Sequence, residues 1–196
     1  MASEGPLSPS TIVNATGIGT IAWQNPGNAA ASDDVRAQAD MNPADSTNWL
    51  KATDFDFSEM ADDDTVDGIV LEIERSDQNS GDGLVSDLGV RLVVAGVIQA
   101  TDKSAVGNWP GTPDAYQSYG GAAETWGETL TGADVKVTGF GAALAVQEAS
   151  GDSTIRAYVD HMRMTVYYTL VATGQPARAR GAFVPGMRQW QPGMRR

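Results

Sequence analysis

The sequence of 196 residues contains no cysteine and a single histidine, His161. The absence of cysteine excludes disulfide bonds, thiolate metal centres and cysteine nucleophiles. A zinc site would need further histidine or cysteine ligands, and the chain could offer only carboxylates beside His161. No stretch reaches the ~18 consecutive apolar residues of a membrane-spanning helix, and residues 1–6 lack a basic segment leading into an apolar one. We therefore expect no zinc, no membrane span and no secretion signal.

Basic residues are also scarce, and they are unevenly placed. The chain has 13 Lys and Arg against 25 Asp and Glu, a net charge of -12. Residues 171–196 hold five arginines and no acid, so the rest of the chain carries 8 basic and 25 acidic residues, a net charge of -17. An acidic surface repels nucleic-acid phosphates. We expect an acidic body with a basic tail and no nucleic-acid partner.

Motifs for catalysis and for cofactor binding are missing as well. No Gly-Lys-Ser/Thr phosphate loop occurs. His161 follows Asp160, but adjacent strand residues face opposite sides, so a structural histidine is the favoured interpretation. Acidic runs at residues 33–34, 62–64 and 77–82 could bind calcium, yet none has the spacing of a known calcium motif. We expect solvated acidic loops, no metal, no cofactor and no catalytic residue; a glycosidase carboxylate pair is the weakest alternative.

Residues 158–168 carry the clearest alternation of apolar and polar side chains. Met162, Met164, Val166 and Tyr168 fall on one face, opposite His161, Arg163, Thr165 and Tyr167. This pattern predicts one long strand with a buried face and an exposed face.

Other stretches repeat this pattern. Strands are predicted for residues 17–23, 49–57, 68–75, 84–94 and 135–146, with residues 68–75 and 84–94 forming a hairpin and Thr131 capping a helical turn. Seven or eight strands with long connections predict an all-β fold: an antiparallel β-sandwich, jelly-roll or related Greek key. We expect an N-terminal arm over residues 1–10, one sandwich domain over 11–170, and a C-terminal arm over 171–196.

The segment from residue 103 to 127 is rich in glycine, proline and aromatic residues. Trp109, Tyr116, Tyr119 and Trp126 could stack on sugar rings, as in a carbohydrate-binding module of an adhesin. Large aromatic side chains are more often buried, so closure of the sandwich core is the favoured interpretation and glycan contact the alternative.

The basic tail combines apolar anchors with arginines. Pro176, Pro185 and Pro192 prevent a continuous helix or a central strand. The pattern favours an arm that docks on an acidic partner surface over a disordered basic end. The predicted docking residues are Arg178, Arg180, Phe183, Met187, Arg188, Trp190, Met194 and Arg195.

A set of core and turn positions between residues 8 and 170 resembles the small all-β structural proteins of tailed phages and prophages. These positions are Ala22-Trp23-Gln24-Asn25-Pro26, Ala31-Ser32-Asp33-Asp34, Gly68-Ile69, Glu72-Ile73-Glu74-Arg75, Trp126-Gly127, Ala133-Asp134-Val135, Phe140-Gly141, Val159-Asp160-His161 and Thr165-Val166-Tyr167-Tyr168. The resemblance implies a jelly-roll protein of the virion that decorates or cements the outer capsid surface. Its implied partners are the major capsid protein and further copies of itself, with a trimer as the first expectation.

Overall fold

The computed structural model describes residues 1–78 and 84–171. The predicted docking residues of the tail lie outside these ranges: Arg178, Arg180, Phe183, Met187, Arg188, Trp190, Met194 and Arg195.

Two antiparallel sheets of five strands pack face to face. The first sheet contains β1 (Ala2–Leu7), β3 (Ala37–Met41), β5 (Thr65–Asp77), β8 (Ala115–Gly121) and β10 (Ile155–Thr169). The second sheet contains β2 (Pro9–Ala15), β4 (Trp49–Phe55), β6 (Val85–Val94), β7 (Val97–Ile98) and β9 (Gly141–Glu148). A short 3-10 turn at Pro26–Ala29 and the helix α1 (Gly132–Lys136) complete the regular structure of the described residues. Neither helix is long and apolar enough to cross a membrane.

The strand order matches a jelly roll. In the first sheet the order is β1-β10-β5-β8, and β3 also pairs with β10. β1 pairs with residues 164–168 of β10 and β3 with residues 155–159, so β1 and β3 lie end to end along one edge. The second sheet has the order β2-β4-β9-β6-β7. With β1 and β3 counted as one interrupted strand and β2 as an added edge strand, this is the jelly-roll arrangement. The all-β sandwich prediction is confirmed.

The core forms where the alternating strands turn their apolar faces toward each other. Met162, Met164 and Val166 of β10 are fully buried, as their spacing predicts. They pack in one cluster with residues of the second sheet, including Leu50 and Leu144. The helical turn is also confirmed: the Asp134 carboxylate of α1 accepts hydrogen bonds from the Thr131 backbone N–H and hydroxyl.

The predicted hairpin between residues 68–75 and 84–94 is wrong. β5 pairs with β10 and β8 in the first sheet, whereas β6 pairs with β9 and β7 in the second. The two strands face each other across the core because both bury one apolar side. The alternation of apolar and polar residues predicts which face of a strand is buried, but it does not predict which strand it pairs with.

The N-terminal residues also differ from the expectation of an arm. Residues 2–7 form β1 and residues 9–15 form β2, so the chain crosses from the first sheet to the second at Ser8. Pro6 and Pro9 are tolerated because β1 and β2 are edge strands, where a missing N–H costs no ladder hydrogen bond. The strand predicted at residues 17–23 is absent; within the described chain, Ile21 makes an isolated bridge to Thr47.

Candidate functional site

A β-bulge in β10 places two polar side chains on the outer face of the first sheet. Val159 pairs with Arg75 and His161 pairs with Glu74, so Asp160 is one extra residue in the strand. Val159 and Met162 are both fully buried in the core, and the two residues between them therefore both point outward. The prediction that Asp160 and His161 face opposite sides is wrong, because a period-two pattern does not anticipate an inserted residue.

His161 is held by hydrogen bonds at both ring nitrogens. Ser8 Oγ lies 2.8 Å from His161 Nε2, and the Tyr116 hydroxyl lies 2.9 Å from Nδ1. Tyr116 is hydrogen-bonded in turn to Glu74. Burial of the imidazole, reinforced by the nearby charge of Arg163, lowers the pKa of His161 below its ordinary value. Because the uncharged form is favoured, one ring nitrogen can accept a hydrogen bond, such as that from the Ser8 hydroxyl.

This arrangement fits a structural role better than acyl transfer. In many serine hydrolases the residue after the nucleophile supplies an N–H to the oxyanion, but here that residue is Pro9, which has none. The contacts of His161 instead tie the β1–β2 crossing, through Ser8, to β8, through Tyr116.

Next to His161, three carboxylates from separate segments converge. Oxygens of Asp34, Asp114 and Asp160 all lie within 4.8 Å of one another. Arg36 pairs with Asp34 at 3.1 Å and with Asp114 at 2.6 Å. Burial, which is opposed by a hydrogen bond from the Asp34 N–H, raises the pKa of Asp160. These residues are the described group best placed to hold a metal, and their wide separation in sequence hides them from a search for a local motif.

Three of the four aromatic residues considered for glycan contact lie in the core. Trp109, Tyr119 and Trp126 are at most 3% exposed. Their polar atoms are also used, since Trp109 Nε1 and the Tyr119 hydroxyl donate to Asp87. Tyr116 alone reaches the surface, and its hydroxyl is bonded to His161. Buried rings cannot stack on a sugar, so these three rings close the core, as the favoured interpretation has it, and do not form the alternative glycan platform.

The outer face of the second sheet carries a cleft of about 550 Å³. Its lining is Ala15, Thr16, Gly17, Ile18, Trp49, Lys51, Arg91, Gly96 and Ile98. Trp49 packs with the fully buried Val93, Ala143 and Ala145 in a small apolar cluster outside the main core. The guanidinium of Arg91 lies 5.5 Å from the centre of the Trp49 ring.

Lys51, on the wall of this cleft, differs from the other basic residues of the described ranges. Each of the other seven forms an ion pair within 4.0 Å: Arg36, Arg75, Arg91, Lys103, Lys136, Arg156 and Arg163. Lys51 forms none within residues 1–78 and 84–171. Its cross-strand neighbour Val13 is 40% exposed, and Ile18 of the cleft is 36% exposed. The cleft thus combines exposed apolar side chains with an available positive charge.

Comparison with protein-family models, curated proteins and solved structures finds no match for this chain. The resemblance to phage structural proteins therefore stays a prediction. No residue role can be transferred from a relative.

Proposed function

We propose that this chain is a structural virion protein of a tailed phage that decorates or cements the capsid. It docks on the major capsid protein through the outer face of the second sheet, and the basic segment 171–196 adds a second contact. The jelly-roll strand order and the resemblance across residues 8–170 support this proposal. The proposed location is the outer capsid surface.

The observation that carries the proposal is Lys51 in the cleft, which forms no ion pair within residues 1–78 and 84–171. The body outside residues 171–196 has a net charge of -17. A positive charge beside exposed Val13 and Ile18, which acts on Asp54 from beyond ion-pair distance, therefore marks one face of the described residues as different from the rest. A partner that fits this face presents an acidic side chain next to an apolar one. The acidic group would pair with Lys51, and the apolar group would enter the cleft next to Ile18 and Ile98.

The fold makes the N-terminal residues unavailable as a capsid anchor. Residues 2–7 and 9–15 belong to the two sheets, so they are not free to act as a capsid-gripping arm. Docking therefore depends on the cleft and on residues 171–196. Binding that is specific to the assembled shell would stabilise that shell in proportion to occupancy, and assembly as a trimer would multiply the contacts.

Co-sedimentation with purified empty capsids tests the docking face. Lys51→Glu should weaken binding at least about tenfold, because it replaces the attractive charge with a repulsive one at the contact. Arg156→Glu is the matched control: it makes the same change in net charge on β10 of the other sheet and should bind like the wild type. Equal binding by Lys51→Glu and the wild type would contradict the proposed face.

A further inference from the structure

We infer that Asp34, Asp114 and Asp160 form a binding site for a divalent cation of the calcium type. The three carboxylates come from the segment before β3, from the residue before β8 and from the bulge of β10. This site is separate from the cleft on the second sheet and does not depend on the proposed capsid function.

The observation that points to a ligand is the Asp160 carboxylate. Asp160 is 2% exposed, and its Oδ1 has no hydrogen-bond partner within residues 1–78 and 84–171. A buried carboxylate oxygen is costly when no protein donor replaces its hydration. Glu74, whose charge also acts on Asp160, has a second buried oxygen without a partner, Oε2. The orphaned acceptor of Asp160, beside two further carboxylates, calls for a positive charge.

The charge of the cluster is only partly balanced by protein. Arg36 supplies one positive charge against the three carboxylates, through Nε to Asp114 and Nη2 to Asp34. The Ser76 hydroxyl donates to the other Asp114 oxygen. Asp160 therefore belongs to a group of side chains whose net charge is negative. A proton on Asp160 is the competing way to relieve the repulsion, and it would leave the protein indifferent to calcium.

The donor set and its spacing favour calcium. Carboxylate oxygens are hard ligands, which bind calcium or magnesium and not soft metals. Two oxygens on opposite sides of a calcium ion lie ~4.6–5.2 Å apart, whereas the limit for magnesium is ~4.2 Å. The three oxygens lie within 4.8 Å of one another, which a calcium ion can span, and three carboxylates exceed the one or two that magnesium usually takes.

A bound ion would join three elements of the first sheet. It would connect the segment before β3 and the residue before β8 to the bulge of β10. Since an ion that binds only the folded chain shifts the unfolding equilibrium, calcium should raise the melting temperature.

Thermal unfolding of the full-length protein at neutral pH tests this inference. The melting temperature is measured in three separate samples, which contain EDTA, about 5 mM calcium or about 5 mM magnesium. The wild type should have its highest melting temperature in calcium, at least about 4 °C above that in EDTA. Asp160→Asn should show no calcium shift, and it should fold because it removes a buried like charge. Asp63→Asn, an exposed acidic control, should keep the wild-type shift. No calcium shift in the wild type, or an equal shift in Asp160→Asn, would overturn the inference.

Terbium luminescence gives a readout that does not depend on unfolding. The ring of Tyr158 lies 5.7 Å from the guanidinium carbon of Arg36, close enough to the cluster to sensitise a bound lanthanide. Terbium bound to the wild type should show sensitised emission, and added calcium should displace the terbium and abolish that emission. Asp160→Asn should lose this emission, and emission unchanged by Asp160→Asn would place the ion elsewhere and overturn the site.

Discussion

Arg75 on β5 and Asp87 on β6 form an ion pair that crosses the interior from one sheet to the other. Both side chains are buried, and Asp87 also accepts hydrogen bonds from Trp109 Nε1 at 2.7 Å and from the Tyr119 hydroxyl at 3.0 Å. The Arg75 guanidinium lies 4.7 Å from the Trp109 ring centre. The aromatic segment therefore covers a buried charge pair, which explains why its rings face inward.

Asp87→Ala should lower the free energy of unfolding by about 3–5 kcal/mol, because it leaves the buried Arg75 without its counter-charge. Urea unfolding followed by tryptophan fluorescence measures the loss. Asp56→Ala, an exposed carboxylate, is the control and should change stability by less than about 0.5 kcal/mol. A loss below about 1 kcal/mol for Asp87→Ala would show that the pair is not the organising contact of this end of the sandwich.

His161 should titrate with a pKa below its ordinary value of 6.5. Burial disfavours the charged ring, and Arg163 adds repulsion. Because the pKa is lower in the folded chain, protonation of His161 favours unfolding. The stability that the neutral ring contributes is therefore fully present above about pH 6.5 and is lost as the pH falls below it. The single histidine gives one imidazole resonance, so NMR titration reads the pKa directly. Arg163→Gln should raise it, and a wild-type midpoint at or above 6.5 would contradict the described environment.

Glu148 should make the protein sensitive to acid. Burial alone would raise its pKa, but hydrogen bonds from the Ser150 hydroxyl and from the N–H groups of Ala44, Ser150 and Gly151 hold it at about 2. This stabilisation is present above the ordinary value of 4.5 and is lost as the pH falls toward 2. Glu148→Gln should therefore be less stable than the wild type at neutral pH, with the gap narrowing in acid. A gap between Glu148→Gln and the wild type that stays constant across this pH range would refute the assignment.

Gly89→Ala should disturb the proposed docking cleft. A Cβ at Gly89 would stand 2.6 Å from Cη2 of Trp49, so the indole would have to move. Overpacking of this kind costs about 1–3 kcal/mol, and the displaced ring should also weaken capsid binding. Gly27→Ala, where an added Cβ meets no atom within 4 Å, should preserve both stability and binding. Capsid binding by Gly89→Ala at the wild-type level would show that the position of the Trp49 ring does not affect docking.

The sequence predicts where most long strands lie, because their apolar residues alternate. It identifies β10, β5 and β6 from this pattern, but it assigns β5 and β6 to one sheet when they belong to two. β3 is missed although Ala37, Ala39 and Met41 alternate, since alanine is a weak strand signal. β8 is missed because its glycines resemble loop sequence.

The polar sites are less predictable than the strands. Asp160 and His161 share a face only because of the bulge, and Asp34 meets Asp114 only through the fold. The sequence around Lys51 does not distinguish it from the other basic residues. The structure does, because every other basic side chain of the described ranges forms an ion pair. Contacts between distant segments decide these features, and no local pattern encodes them.

The most direct test of the central claim is co-sedimentation of the full-length protein with empty capsids, beside a truncation that ends at Leu170. The proposal predicts saturable binding of the full-length chain, weaker binding of the truncation, and a decrease of both at high salt because charged groups take part. Failure of the full-length protein to bind capsids at low salt, or its presence only at the tail tip of purified virions, would contradict the capsid-decoration function.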